Sequence, residues 1–242
     1  MQRSNTYILL YTIALTVVCG VALAMTKKAL KPAQDMQIEL ERKRNILSTF
    51  MTLKDGDNPE KIYEARVKAY VIDVNGNKLE NEDAANISIE KESKKPVAER
   101  KLPVYEISAD GDPTKVEYYV IPTFGKGLWD VISSYISIKS DGKTINGVSF
   151  NHKAETPGLG ARIKDDEAVY SRYKDKVLFD GNKPVGVEMQ KGEGNKYDDQ
   201  PHKIDGMSGA TLTGKGVNAM VKEYTEAYSK FLLSKQQPTA TK

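Results

Sequence analysis

The sequence predicts an α+β fold, with antiparallel sheets and packed helices, preceded by a single N-terminal transmembrane helix. Short apolar runs rich in Val, Ile and Tyr are separated by tight turns. That arrangement is typical of antiparallel hairpins rather than of parallel βαβ units. A 19-residue run without charge opens the chain, and amphipathic helical patterns lie before and after the strands.

The uncharged run extends from Tyr7 to Met25. As a helix at 1.5 Å per residue it spans roughly 28 Å, close to the hydrocarbon thickness of a bilayer. Ala22-Leu23-Ala24 also resembles a signal-peptidase site, but the run exceeds the usual apolar core of a signal peptide. We therefore predict a retained membrane anchor over residues 1–31, with the span at about 7–25. The flanking charges alone weakly favour a cytoplasmic C-terminal domain.

The net positive charge is concentrated at the N-terminus. The 242 residues carry 36 basic and 33 acidic side chains, a formal net charge of +3. Residues 1–31 contribute +4 through Arg3, Lys27, Lys28 and Lys31, so the remainder holds 32 basic and 33 acidic groups. Nucleic-acid binding requires a basic surface that neutralises phosphates, so we expect no nucleic-acid partner.

Metal ligands are scarce in this sequence. Cys19, inside the apolar run, is the one cysteine, and His152 and His202 are the two histidines. The chain therefore cannot form a cysteine-based zinc site or ligate an iron–sulfur cluster through its own thiolates. We predict no metal site, and we expect a structural role for His152.

Residues 32–100 are predicted to form an N-terminal helix and hairpin region of the soluble part. A charged helix over 34–50 places Met36, Leu40 and Leu47 along one side. The Asp-Gly-Asp-Asn-Pro segment at 55–59 then interrupts the pattern. An alternating strand over 67–74 leads into an Asn-Gly-Asn turn, which is a good hairpin signal. The lysine-rich stretch 90–101 is expected to be a solvated surface excursion.

Residues 101–234 are predicted as the main domain, and 235–242 as a flexible tail. Tight turns at 140–143 and 180–183 each separate two of the predicted strands, which lie at 104–107, 116–121, 136–139, 145–150, 177–179 and 185–189. Helices are predicted at 165–174 and 215–233. The second helix has one apolar face, formed by Val217, Val221, Tyr224, Tyr228 and Leu232.

Three glycine-rich loops are patterned too strongly for generic turns. They read Gly-Lys-Gly-Leu-Trp-Asp at 125–130, Glu-Thr-Pro-Gly-Leu-Gly at 155–160, and Asp-Gly-Met-Ser-Gly-Ala-Thr-Leu-Thr at 205–213. Glycines let a backbone approach a ligand closely, and the third loop opens a helix whose free N–H groups attract anions. The loops therefore indicate a binding site in which a phosphate suits the third loop. The alternative for Ser208 or Thr213 is an ordinary helix N-cap.

The order of these motifs resembles the FMN-binding domain family, and most closely its members that serve as the C subunit of sodium-translocating NADH:quinone reductases. The resemblance covers essentially the whole chain, including the single N-terminal span. The G subunit of the Rnf electron-transport complex is a related member. The Tyr-Tyr-Val-Ile-Pro segment at 118–122, which leads into the first loop, looks more like the quinone-reductase protein.

The resemblance implies that Thr211 carries FMN through a phosphodiester, installed from FAD by a magnesium-dependent flavin transferase. The small residues Gly209 and Ala210 allow the loop to enter the transferase, and Asp205 can orient the loop or help to deprotonate the threonine. Ser208 and Thr213 are the neighbouring hydroxyls with which Thr211 can be confused. Further contacts with FMN are expected, by position in the motifs, from Leu212, Glu155, Thr156, Leu159, Gly160, Leu128, Trp129 and Lys191.

Two of these residues have plain structural alternatives. Trp129 can fill the core, and Lys191, expected at the polar edge of the flavin, can be simply solvated. The resemblance also implies a flavoprotein component of a bacterial inner-membrane complex, without an autonomous catalytic site. The resemblance implies electron relay from an upstream iron–sulfur centre to the flavin of the neighbouring B subunit, with Na⁺ export coupled in the whole complex.

The expected partners are therefore the B subunit, the iron–sulfur-carrying subunits, the flavin transferase and membrane lipid. The resemblance places the FMN domain in the periplasm, against the weak indication from the flanking charges. Two alternatives remain open: the G subunit of an Rnf-type complex, and a membrane-anchored flavin sensor module.

Overall fold

The computed structural model describes residues 4–236, so Arg3 and the predicted tail from residue 237 onward lie outside the described residues. The chain forms two compact units that divide between Lys43 and Arg44. Helix α1, Asn5–Ser48, makes up nearly all of the first unit and contributes its last residues to the second.

Helix α1 is long and apolar enough to cross a membrane, and its most apolar segment is not buried by the described chain. The hydroxyls of Thr12, Thr16 and Thr26 each donate to the carbonyl four residues earlier, which satisfies them within the helix. The predicted anchor and the predicted charged helix are one continuous helix, which runs through Pro32. Of the predicted apolar stripe, Met36 is exposed and Leu47 is buried in the second unit.

The second unit is built on a six-stranded antiparallel sheet, as predicted. The strands lie in the order β2-β1-β3-β4-β5-β6. Their bounds are β1 Val67–Ile72, β2 Lys78–Leu79, β3 Leu102–Ala109, β4 Asp112–Lys126, β5 Val131–Lys139 and β6 Ile145–His152. The predicted hairpins at 75–77 and 140–143 are confirmed, because β1 pairs with β2 and β5 pairs with β6 around these turns.

Both faces of the sheet are covered by packed side chains, because neighbouring residues of one strand belong to two different hydrophobic clusters. In β4, Tyr119 and Ile121 belong to the larger core, whereas Val120 between them packs into a smaller one. The larger core lies against helix α6, Thr211–Ala227, and helix α7, Ser229–Lys235. The predicted apolar face from Val217 to Leu232 is buried there, although the single predicted helix is divided at Tyr228 and begins four residues earlier than expected.

Short elements account for most of the differences from the sequence prediction. Helix α2, Pro59–Arg66, was not predicted; Asn58 caps it by accepting from the backbone of Glu60 and Lys61. Helix α3, Ile89–Ser93, lies in the stretch predicted as a solvated excursion. That expectation is wrong for Glu92 and Arg100, which are buried. Arg100 donates to Glu223 at 2.6 Å and to two backbone carbonyls.

The segment from 162 to 204 is more irregular than predicted. The helix expected at 165–174 is found as the short helix α5, Glu167–Tyr170, followed by a 3-10 turn, Ser171–Tyr173. Helix α4, Arg162–Asp165, precedes it and is separated from it because Asp166 is extended and caps α5. Strands β7, Phe179–Asp180, and β8, Lys183–Pro184, form the predicted third hairpin. Strand β9, Glu188–Met189, pairs instead with β10, Lys203–Ile204, in parallel. That parallel pair brings residues 190–195 next to the loop before α6.

Candidate functional site

The three glycine-rich loops meet at one edge of the sheet. Strands β4 and β6 run in the same direction on either side of β5, so the loops that follow them leave the same edge. The first loop joins β4 to β5, the second follows β6, and the third opens α6. Together they enclose a cleft of about 200 Å³, lined by Leu128, Glu155, Thr156, Leu159, Gly160, Gly209, Ala210, Thr211, Leu212 and Thr213. All ten lining residues are in the predicted set.

The buried carboxylate of Glu155 joins the three loops. One oxygen accepts from the backbone N–H of Trp129 at 3.0 Å, and the other accepts from the hydroxyl of Thr213 at 2.5 Å. The second loop therefore contributes the carboxylate, and the first and third loops each contribute a hydrogen-bond donor. A buried carboxylate without such donors is strongly unfavourable, so this side chain fixes the relative positions of the loops.

Glycines make room for this carboxylate. A Cβ placed on Gly127 or on Gly160 would collide with the Glu155 carboxylate, and one on Gly160 would also lie 2.5 Å from the Thr213 hydroxyl. Gly209 has φ +74, and a Cβ there would lie 2.7 Å from Cδ2 of Leu159. Close approach at the cleft thus requires glycine at Gly127, Gly160 and Gly209.

The three hydroxyls of the third loop differ in environment. Thr211 is the first residue of α6, is half-buried and lines the cleft. Thr213 is buried, with its hydroxyl engaged by Glu155. Ser208 is exposed but does not line the cleft. The N-cap of α6 is Ala210, so neither Ser208 nor Thr213 caps this helix through its side chain.

The rim of the cleft is apolar and exposed. Within residues 44–236, the large apolar side chains that are exposed are Val97 and four at this site: Leu128 at 40%, Trp129 at 66%, Leu159 at 42% and Leu212 at 57%. Such a concentration of exposed apolar surface on an otherwise well-packed unit is typical of a binding site. The alternative that Trp129 fills the core is therefore wrong.

Trp129 stands beside the cleft rather than in its lining. Its indole N–H donates to Thr156 Oγ1 at 3.2 Å, which links the first loop to the second. The next residue, Asp130, accepts from the backbone of Val131, and this bond, helped by Lys153, holds the pKa of the carboxyl below its usual range. On its other side Trp129 contributes to a second cleft with Phe124, Lys126 and Glu223.

Besides Trp129, three predicted site residues lie outside the lining of the cleft. Asp205 holds the neighbouring backbone, since its carboxylate accepts from the N–H of Gly194 at 2.7 Å and from the Asn195 amide at 3.3 Å. Ser208 donates its backbone N–H to Glu193 at 3.1 Å. Lys191 is exposed and does not line the cleft. Its contact with a flavin stays a prediction.

The sequence prediction missed Glu193 and the two arginines bound to it. Arg162 forms a two-pronged contact with the Glu193 carboxylate, at 2.9 and 2.7 Å, and Arg172 adds a third bond at 3.1 Å. The Arg162 guanidinium, more than any other partner, lowers the pKa of Glu193 to about 2. In the sequence, Glu193 lies between Gly192 and Gly194, and this pair of glycines was the available signal. In the structure both glycines have positive φ.

The region that contains the cleft matches a known protein family. The FMN-binding domain family matches residues 127–226, which contain all three loops from Gly127 onward. Among curated proteins, the chain is 31% identical over 230 residues to the C subunit of the Na⁺-translocating NADH-quinone reductase of Pasteurella multocida, covering 88% of this chain and 87% of that one. The corresponding protein of Yersinia pestis is 30% identical over 226 residues, covering 86% and 84%.

Solved structures agree with the sequence comparison. The crystal structure of the C subunit of Na⁺-translocating NADH-quinone reductase from Parabacteroides distasonis has a TM-score of 0.72 at 30% identity, covering 84% of this chain and 96% of that one. The NqrC structure from Shewanella oneidensis has a TM-score of 0.69 at 27% identity, covering 81% and 96%. These matches confirm the α+β fold with its antiparallel sheet and packed helices.

Proposed function

Because the chain belongs to the family of C subunits of Na⁺-translocating NADH-quinone reductases, we propose that it is the membrane-anchored electron relay of such a complex, with FMN covalently bound at Thr211. Membership and the FMN-binding domain make it a flavoprotein component of an oxidoreductase complex. The relay, the covalent link and the coupling to Na⁺ export go beyond these findings. They rest on the arguments that follow.

The observation that carries the proposal is the position of half-buried Thr211 in the cleft, inside an exposed apolar rim. The cleft of about 200 Å³ is smaller than the usual pocket for a molecule of this size. Only part of FMN can therefore be enclosed, and the rest would lie against Leu128, Leu159 and Leu212. Apolar side chains suit the faces of an aromatic ring, and the start of α6 suits a phosphate. The residues present thus fit FMN.

Position in the cleft and hydrogen bonding support Thr211 over its neighbours as the attachment residue. In the proposed reaction its hydroxyl oxygen forms a bond to the FMN phosphorus of FAD, while the pyrophosphate bond breaks and AMP leaves. The hydroxyl proton passes to a base of the flavin transferase, which also supplies magnesium. Thr213 is unsuited because its hydroxyl is buried against Glu155, and Ser208 is unsuited because it lies outside the cleft. The hydrogen bonds of Asp205 favour an orienting role for that residue.

The residues of this chain bind and orient in this proposal, without an acid–base step of their own. FMN supplies one-electron transfer when bound. Trp129, Leu128 and Leu159 would hold the ring and exclude water from part of it. We expect the electron source to be an iron–sulfur centre of the complex and the acceptor to be the flavin of the B subunit. A covalent bond prevents loss of the cofactor between transfers.

We place the FMN domain on the periplasmic side of a bacterial inner membrane, with α1 as the single span. The apolar segment of α1 supports the anchor. Periplasmic placement is favoured because covalent attachment retains FMN where no cytosolic pool can replace it. Anchoring also confines the domain to the membrane plane, at a high effective concentration relative to other membrane proteins of the complex.

Affinity purification of the full chain from native membranes tests the relay. We expect an Na⁺-dependent NADH:quinone reductase to co-purify, and we expect NADH to reduce the covalent flavin and quinone to reoxidise it. A chain that carries flavin but is neither reduced by NADH nor reoxidised by quinone would be a sensor module instead. Co-purification with a complex that uses an electron donor other than NADH would instead indicate an Rnf-type role.

A further inference from the structure

Two loops flank the start of α6 and exchange carboxylate contacts. We name residues 190–195 the bracing loop and residues 205–210 the attachment loop. Glu193 of the bracing loop accepts from the backbone N–H of Ser208 at 3.1 Å. In return, Asp205 of the attachment loop accepts from the backbone N–H of Gly194 at 2.7 Å. Adjacent residues of one loop therefore make reciprocal contacts with the other.

The backbone of the two loops is also in close contact. A Cβ on Gly206 would collide with the carbonyl oxygens of Gln190 and Gly192. Arg172 reinforces this arrangement, since it donates to the carbonyl oxygens of Gly206 at 2.5 Å and Asp205 at 3.2 Å while also binding Glu193. The attachment loop, whose glycines would otherwise allow many conformations, is thus held in one.

Glu193 is itself held by Arg162, which lies outside the attachment loop. The two-pronged bond from Arg162 orients its carboxylate, and Arg162 is anchored in turn by Asp166 at 2.8 and 3.0 Å. Charged groups with several hydrogen bonds of this kind are among the stronger contacts in proteins. None of these groups lines the cleft that contains Thr211.

We infer that Glu193 is a positioning residue for flavin attachment, which holds the attachment loop so that Thr211 is presented to the flavin transferase. This inference rests on the proposed attachment at Thr211. The bracing loop does not touch the reacting atoms; it raises the fraction of chains whose attachment loop is already in the conformation seen here. Loss of Glu193 lowers that fraction, which raises the apparent KM for the chain and leaves kcat unchanged at saturation.

The test compares flavin attachment to the purified full chain, with flavin transferase, FAD and magnesium, for wild type, Glu193→Gln and Glu117→Gln. Glu117 is the matched control, because it pairs with Arg66 at 3.0 Å in a partly exposed contact away from the cleft. We expect KM to rise about tenfold for Glu193→Gln, the effect of weakening one charged hydrogen-bond set, with kcat within about twofold of wild type. Glu117→Gln should keep both constants.

Hydrogen–deuterium exchange gives a readout that needs no transferase. In Glu193→Gln the amide of Ser208 should exchange about tenfold faster than in wild type, and in Glu117→Gln it should not change. If Glu193→Gln fails to fold, Arg162→Lys keeps the charge but loses the two-pronged bond, and should shift KM and exchange in the same direction.

Wild-type KM and wild-type exchange in Glu193→Gln would overturn the inference. A fall in kcat at unchanged KM would also overturn it, because it would place Glu193 in the chemical step. If even the wild-type chain acquires no flavin, the attachment proposal itself fails. Exchange of the Ser208 amide then still decides whether Glu193 holds the loop.

Discussion

Thr213 donates a 2.5 Å hydrogen bond to Glu155 across 58 residues of sequence, and both side chains are buried. The bond connects the first turn of α6 to the loop that follows β6. It also engages the Thr213 hydroxyl, so the proposed attachment falls to Thr211, the other threonine of α6 that lines the cleft.

A double-mutant cycle should show that these two side chains are coupled. Thr213→Val leaves one Glu155 oxygen without its donor, and Glu155→Gln weakens both of its bonds, so each should lower the free energy of unfolding by about 1–3 kcal/mol. The double variant should lose less than the sum. Urea unfolding measures these changes. Thr225→Val is the control: Thr225 is buried in the same helix, but its hydroxyl bonds only a carbonyl of its own helix, so its loss should be smaller.

Substitution of Thr211 should abolish covalent flavin without unfolding the protein. Thr211→Val keeps the shape of the side chain at a half-buried first helical position, so the free energy of unfolding should change by less than about 0.5 kcal/mol. Intact mass and in-gel flavin fluorescence should show no attached FMN. Ser208→Ala should retain full attachment; flavin on Thr211→Val would instead assign the link to another hydroxyl.

Alanine substitutions at two glycines with the same backbone angle distinguish the cost of backbone strain from the cost of a steric contact. Gly158 and Gly209 both have φ +74, but a Cβ at Gly158 meets nothing within 4 Å, whereas one at Gly209 meets Leu159. Alanine at either position should cost about 1–2 kcal/mol through the left-handed conformation. Only Gly209→Ala should displace Leu159 from the rim. We therefore expect a changed flavin absorbance spectrum for Gly209→Ala and an unchanged one for Gly158→Ala.

The single tryptophan reports directly on the site. Trp129 is largely exposed and beside the cleft, so flavin attachment should strongly quench its fluorescence in the wild-type chain. Thr211→Val, incubated in the same way, should keep the bright emission. Equal emission from the flavin-loaded and flavin-free forms would mean that the ring lies away from Trp129.

The ion pairs of Glu193 with Arg162 and Arg172 predict how the free energy of unfolding depends on pH in acid. The Arg162 guanidinium lowers the pKa of Glu193 from 4.5 to about 2 in the folded chain. The depressed pKa stabilises the fold above pH 4.5, and this contribution is lost as pH falls from 4.5 towards 2. Between these pH values, unfolding free energy should therefore fall more steeply for wild type than for Glu193→Gln. Parallel curves across this range would contradict the assignment.

Much of the fold was predictable because hairpins are local. The Asn-Gly-Asn and Ser-Asp-Gly-Lys turns specify the pairing of their flanking strands within a few residues, and both hairpins are confirmed. The apolar spacing from Val217 to Leu232 likewise identified the buried face of α6 and α7. The cleft loops could be predicted for the same reason, because each of their glycine-rich motifs is a continuous run of residues in the sequence.

What the sequence could not predict depends on contacts between distant segments. Arg100 looked solvated in its lysine-rich neighbourhood, but its partner Glu223 lies 123 residues away. Glu193 likewise depends on Arg162 and Arg172, and its loop is positioned by a parallel pairing of two-residue strands too short to detect. Helix α2 was missed because its Asn58 cap lies in a segment that resembles an ordinary turn.

The position of Cys19 has a consequence for durability. This one thiol of the chain lies in the apolar segment of α1, so residues 44–236 contain none. Cysteine thiolates are the side chains most open to stepwise oxidation, and methionine is the other vulnerable type. Of the methionines in residues 44–236, Met189, Met207 and Met220 are buried and Met51 is half-buried. In the proposed relay role, residues 44–236 would therefore offer oxidants no thiol and few accessible methionine sulfurs.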